Sequence, residues 1–218
     1  MRNAPTAALV LLIGAATLSA QEAPPTAASP SAAAAAKAPA WAFNASLYGY
    51  FPPEDIHYAQ PTVMADHGAL HLEARYNYEA LKSGSAWIGW NFETGKELTL
   101  NATLLAGGVV GDLRGVAPGY ELTLAWKSLQ LYSEGEYVFD TTDSSGNFFY
   151  NWAQLGWSPW EWFTVGLVSQ RTRVYQTGLD VQRGVFVGFA WKSLTLNVYV
   201  FNPGWETPTV VSSFAVSF

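Results

Sequence analysis

From Trp41 to Phe218 apolar and polar residues alternate in short runs, and residues 119–140, GYELTLAWKSLQLYSEGEYVFD, set the pattern. In the first half, Tyr120, Leu122, Leu124 and Trp126 fall on one face, with Glu121, Thr123 and Ala125 on the other. In the second, Leu129, Leu131, Ser133, Gly135, Tyr137 and Phe139 oppose Gln130, Tyr132, Glu134, Glu136 and Asp140. A period of two is the strand period, so the stretch reads as strand, two-residue turn, strand. The pentapeptide Ala125-Trp126-Lys127-Ser128-Leu129 recurs at 190–194, again between two alternating runs. Each copy ends an apolar face with Trp beside a tight polar turn. A soluble sheet also alternates, with its apolar face turned inward. An apolar face bordered by Trp and joined by short turns is instead what a lipid-facing strand requires.

Twelve such runs follow one another, near 43–51, 58–66, 69–79, 85–93, 97–111, 119–126, 129–141, 147–157, 162–174, 183–191, 194–202 and 208–218. The connections at 66–68, 93–96, 127–128, 158–161 and 192–193 are short turns. Those at 52–57, 80–84, 112–118, 142–146, 175–182 and 203–207 are mostly longer and more varied. With the first run starting in the periplasm, every short turn lies on that side and every longer loop lies outside. This parity predicts an all-β, antiparallel, up-and-down transmembrane barrel of about 12 strands. Pro52-Pro53 and Pro61 interrupt the first two runs and leave ten strands as the alternative.

Composition sharpens this picture. Charged residues make up only 13% of the 218-residue chain, against about 25% in soluble domains, while aromatics reach 15%. Mean hydropathy is nonetheless only +0.07, because a barrel strand shows half its residues to lipid and half to the lumen. A net charge of −6 argues against nucleic acid, which calls for a basic stripe. The chain has no cysteine, and so neither a disulfide nor a thiolate ligand or nucleophile.

Residues 1–20 read as a secretory signal peptide, with Arg2 before the apolar stretch 7–16 and Leu18-Ser19-Ala20 as the cleavage site. The apolar stretch is too short to span about 30 Å of hydrocarbon. Residues 21–40 are rich in Ala and Pro and read as a disordered periplasmic tail, leaving 41–218 as the barrel.

Trp90, Trp126, Trp157, Trp160, Trp162 and Trp191 all sit beside expected periplasmic turns and are assigned to an aromatic girdle. The last run places Val210, Ser212, Phe214, Val216 and the final Phe218 on one face. An alternating closing strand ending in Phe resembles the C-terminal signature of Gram-negative outer-membrane β-barrel proteins. The resemblance implies a location in the bacterial outer membrane, lipid as surroundings, and Phe214, Val216 and Phe218 as a signal read by the barrel-assembly machinery.

The opposite parity defines the expected lumen. His71, Glu73, Arg75, Asn77 and Glu79 share one inner face, followed by Glu97, Glu121, Gln130, Tyr132, Glu134, Glu136, Gln154, Asn197 and Tyr199. Arg171 falls on a face that begins with Phe163, Val165 and Leu167, so either a bulge turns it inward or the strand has left the membrane there. Glu73, Arg75, Glu97, Glu121, Glu134, Glu136 and Arg171 are the expected selectivity residues. Acids outnumber bases among them, and small inner residues at Gly89, Gly107, Gly188 and Ala190 leave room, so the expectation is a passive pore favouring small cationic or neutral solutes. The alternative is a closed structural or adhesion barrel whose interior acids pair with arginine. A lipid-modifying enzyme needs an outward Ser beside an outward His, and no strand supplies that pair, so no catalytic residue is assigned. No metal or cofactor is expected either. His67 and His71 have a spacing suited to a helix, and Glu54, Asp55 and His57 read as a solvated loop.

Overall fold

The computed structural model describes residues 40–53, 55–174, 180–204 and 207–218. The signal peptide, all but the last residue of the expected tail, and Glu54 lie outside the described residues.

The alternation is realised as twelve strands: β1 (Ala42–Phe51), β2 (Tyr58–His67), β3 (Leu70–Tyr76), β4 (Gly84–Gly95), β5 (Leu98–Val110), β6 (Gly115–Trp126), β7 (Leu129–Asp140), β8 (Phe148–Trp160), β9 (Phe163–Val174), β10 (Asp180–Trp191), β11 (Leu194–Phe201) and β12 (Thr209–Ser217). Each pairs antiparallel with its sequence neighbours, and β1 pairs with β12, so the sheet closes into a ring with no free edge. Among the described residues the only helical element is a 3₁₀ turn, Ser144–Gly146, and no helix is long and apolar enough to cross a membrane.

Both copies of the Trp-Lys-Ser-Leu turn take the same shape. Trp126 pairs with Leu129 and Trp191 with Leu194, so each loop has two residues. Lys127 and Lys192 occupy its first position with φ of 53° and 56°, the positive value that turns matching strand twist demand there. Each ammonium then lies over the ring of the preceding Trp, 4.6 Å away for Lys127 and 5.0 Å for Lys192.

Prolines lie at two of the departures from the expected boundaries. Pro61 is accommodated in β2 because β3 pairs with that strand only from Thr62 onward. Pro118 lies inside β6, which begins at Gly115, four residues before its expected start, and the ladder to β7 lapses at 117–118 before resuming in register at Gly119–Glu136. At Ser158-Pro159 the chain makes no turn. β8 runs on to Trp160 through a one-residue bulge, so the turn to β9 is only Glu161-Trp162. The bulge also returns Trp160 to the outer face, where its ring stacks on Trp162 at 5.7 Å.

The outer face is apolar. Every strand carries a large hydrophobic residue at least 36% exposed, among them Leu47, Val63, Ile88, Leu104, Leu167 and Phe214. The six girdle tryptophans are 46–68% exposed at the rim of the short turns. Phe214 and Phe218 point outward on the closing strand, and Phe218 is held in the ladder by two backbone hydrogen bonds with Phe43, of 2.9 and 3.0 Å. Such surface is stable only against lipid. The strands behind it are paired edge to edge in a closed ring, as a membrane interior requires.

Candidate functional site in the lumen

The inner face is filled by two kinds of side chain. On β3, β6 and β7 it is ionic. Arg75 donates to Glu73 at 2.7 Å and, across the lumen, to Glu136 at 2.9 Å. Its guanidinium is also stacked 4.3 Å from the ring of Tyr78 and 4.7 Å from that of Trp87. Glu134 accepts from the hydroxyls of Tyr78 and Tyr132, and Glu79 accepts from Ser85 at 2.6 Å. Glu121 is buried, and its Oε1 has no hydrogen-bond partner. His71, 2% exposed, gives its Nδ1 to Asp66 at 2.9 Å. The interior on this side therefore holds six carboxyl groups facing one arginine and one histidine.

The other side is aromatic. Trp152 on β8 makes edge contacts with Tyr199 and Phe201 of β11, with ring centroids at 5.0 and 5.4 Å, and reaches Tyr48 on the far wall at 6.3 Å. Phe186 of β10 stacks on Tyr199 at 5.4 Å. Tyr78 meets Tyr150 edge-on at 5.4 Å, which ties the two sides together. Between them remains a cavity of about 20 Å³, lined by Glu73, Glu134, Tyr48, Tyr78, Tyr150 and Trp152 among others. That is room for about one water molecule.

Glu73, Arg75, Glu121, Glu134 and Glu136 thus share the lumen. Two other expected lumen residues do not. Glu97 is exposed in the turn before β5, because that strand begins only at Leu98. Arg171 is exposed on the outer face, because β9 keeps an unbroken register with β8 and β10 at that point and no bulge turns it. It lies eight residues above Phe163 (171 − 163), roughly 20 Å up the barrel wall for a tilted strand, near the outer limit of a hydrocarbon band about 25 Å tall. Arg173 and Arg183 are exposed there too. A strand leaving the hydrocarbon, not a bulge, explains the arginines.

The small inner residues do not leave open space. A Cβ on Gly107 would lie 2.3 Å from the Trp87 ring, one on Gly89 2.7 Å from Leu105, and one on Gly188 2.4 Å from Asn197. Each glycine makes room for a neighbour's side chain. Parity placed Tyr132 and Tyr199 in the lumen, but Trp152 and Phe186 went unread, although Trp152 has the parity of Gln154, and Phe186 that of Gly188. His67 lies against Trp41 in a tilted ring contact at 4.9 Å, apart from His71, and Asp55 is exposed in the first outer loop.

A closed, even-stranded ring with an apolar outer band and an aromatic rim defines a transmembrane β-barrel, and the fold is that of Gram-negative outer-membrane porins. It is similar to a solved structure of the KdgM porin, with a TM-score of 0.56 and 11% identity over 80% of this chain and 99% of that one. It is also similar to the KdgM porin in complex with disordered oligogalacturonate, with a TM-score of 0.52 and 10% identity over 81% and 98% of the two chains. At these identities the likeness is one of fold. No protein-family model matches the chain, and no curated protein does.

Proposed function

We propose that this porin-like barrel is a narrow outer-membrane channel for water and small cationic or neutral solutes, constricted by the Arg75–Glu73–Glu136 network and the tyrosines around it. The observation that carries the reading is the charge of the interior. Six carboxyl groups on the inner face of a membrane-spanning ring, against one arginine and one histidine, support a passage that favours cations over anions. Side chains fill the passage, and on this reading it widens through rotamer changes of Tyr78, Tyr132 and Arg75. On this reading Glu73, Glu121, Glu134 and Glu136 set selectivity, Glu97 and Arg171 have no part in it, and no catalytic step is assigned to any residue. The outward Phe214, Val216 and Phe218 suit recognition by the barrel-assembly machinery before insertion among outer-membrane lipids.

A second reading is favoured by the size of the cavity. A void of about 20 Å³ passes no solute, and a permanently closed barrel would use its interior only for stability. Single-channel recording on the refolded protein in a planar bilayer separates the two. The channel predicts small, cation-preferring steps whose preference falls in the Glu134→Gln, Glu136→Gln double variant. Silence from protein whose heat-shifted gel mobility shows it folded, persisting when Trp152 is replaced by Ala, overturns the channel.

A further inference from the structure

Beside Arg75, toward the rim of the short turns, one corner of the ionic wall has features that charge pairing alone leaves unexplained. His71, Glu73 and Glu121 are all buried, and each can present one ligand atom such that the three lie within 4.8 Å of one another. Two of the atoms facing into this corner have no partner. His71 Nε2 makes no hydrogen bond and is 3.8 Å from Glu73 Oε2, and Glu121 Oε1 makes none either. Unpartnered polar atoms this deeply buried are costly, and two of them converging with the Glu73 carboxylate is an arrangement a cation would satisfy.

The groups behind the corner fix its orientation. Thr103 donates to Asn91 Oδ1 at 2.6 Å, Asn91 donates to Asp66 Oδ1 at 2.7 Å, and Asp66 Oδ1 faces His71 Nδ1 at 2.9 Å. A carboxylate only accepts, so His71 donates from Nδ1 to Asp66, and its Nε2 is the ring nitrogen that faces Glu73 and Glu121. A carboxylate behind the imidazole is the support that metal-ligating histidines have. Arg75 holds Glu73 from the other side at 2.7 Å.

We propose that His71, Glu73 and Glu121 form a divalent-metal site of the zinc class inside the barrel wall. One imidazole nitrogen and two carboxylate oxygens are a donor set suited to zinc, leaving a fourth position for water or a solute group. Ligand atoms within 4.8 Å of one another share a point no more than about 2.8 Å from each, so inward shifts of well under an ångström bring them to zinc distances of roughly 2.0–2.2 Å. The small cavity also borders Glu73 and has room for the water. A dication also offsets part of the excess of buried carboxyl groups over Arg75. The site stands apart from conduction, since a closed barrel would hold the ion equally well.

The test uses the full barrel refolded in detergent, stripped with a chelator that is then removed. Calorimetric titration with zinc chloride is expected to show one bound equivalent. Loading with cobalt(II) is expected to give the visible absorption of a low-coordinate site, abolished by zinc. Loss of a ligand in His71→Gln or Glu121→Gln should weaken zinc by about 100-fold or more. Asp66→Asn, which acts through His71, should weaken it by about 10–100-fold. Glu97→Gln, in the exposed turn before β5, should leave it unchanged. Wild-type protein that takes up no zinc and gives only the spectrum of aqueous cobalt overturns the proposal and makes His71 an imidazolium held between Asp66 and Glu73. Zinc binding that survives both ligand substitutions overturns it as well. The wild-type titration decides the matter without a variant, so a variant that fails to fold leaves the answer intact.

Discussion

The two walls of the lumen fill the same ring by opposite means. On β3, β6 and β7 the inner side chains are acids, a histidine and an arginine, placed by hydrogen bonds between 2.6 and 2.9 Å. On β8, β10 and β11 they are Trp152, Phe186, Tyr199 and Phe201, placed by ring contacts of 5.0–5.4 Å. An aromatic wall gains from area and tolerates small displacements. An ionic wall gains only while every partner is present, since a buried charge without its counter-charge costs more than the pair contributes. The aromatic side should therefore respond to lost volume and the ionic side to lost partners.

The sharpest break of this contrast empties the aromatic wall. Trp152→Ala with Tyr199→Ala should cost on the order of 5 kcal/mol or more, read from the urea midpoint in detergent. It should also give the largest rise in single-channel conductance of any change described here, with ion preference unchanged. A rise in conductance with altered preference would place the selective groups on this wall after all. On the ionic wall, Arg75→Met keeps volume but strands Glu73 and Glu136, and a loss of about 3–5 kcal/mol is expected in the same assay. A loss under about 1 kcal/mol would mean that the carboxyl groups need no cation there. Gly107→Ala and Gly108→Ala separate the faces at adjacent positions. A Cβ at Gly107 meets Trp87 at 2.3 Å, whereas one at Gly108 meets nothing within 4 Å. The first should cost about 1–3 kcal/mol and the second well under 1 kcal/mol. The smallest effect is expected for Glu97→Gln, which lies in an exposed turn and should leave stability within about 0.5 kcal/mol and selectivity as it was.

The sequence carried the fold further than the site. Alternation gave the number and order of strands because each of them has one face on lipid and one on the lumen, so period two has to persist along the whole chain. Two of its boundaries were misplaced at Pro118 and Pro159, read into a loop and a turn, whereas both lie within strands that absorb them by a lapse and a bulge. Parity also placed Glu73, Arg75, Glu121, Glu134 and Glu136 in the lumen. It failed at Glu97, which precedes the start of its strand. At Arg171 parity pointed outward correctly and was set aside because a charge in lipid is costly, although the residue lies near the outer end of its strand. What parity could not give is distance across the ring. Arg75 and Glu136 are 61 residues apart in sequence and meet at 2.9 Å, and Glu121 meets His71 and Glu73 from a strand three places away. The same limitation made glycine look like open space at 107, where a tryptophan from the next strand lies over it.

The seam between β1 and β12 governs how the ring comes into being. Eleven of the twelve pairings join consecutive strands and can form as hairpins, but Phe43 and Phe218 are 175 residues apart (218 − 43) and bond to each other in both directions. Bringing such ends together costs roughly 4–5 kcal/mol in chain entropy before any ladder bond offsets it. Closure is thus the slow, late event of folding, and until it happens two strands some ten residues long stand as bare edges open to a second copy. The time the chain spends with that seam open, more than the strength of any hairpin, decides whether it becomes a barrel or an aggregate.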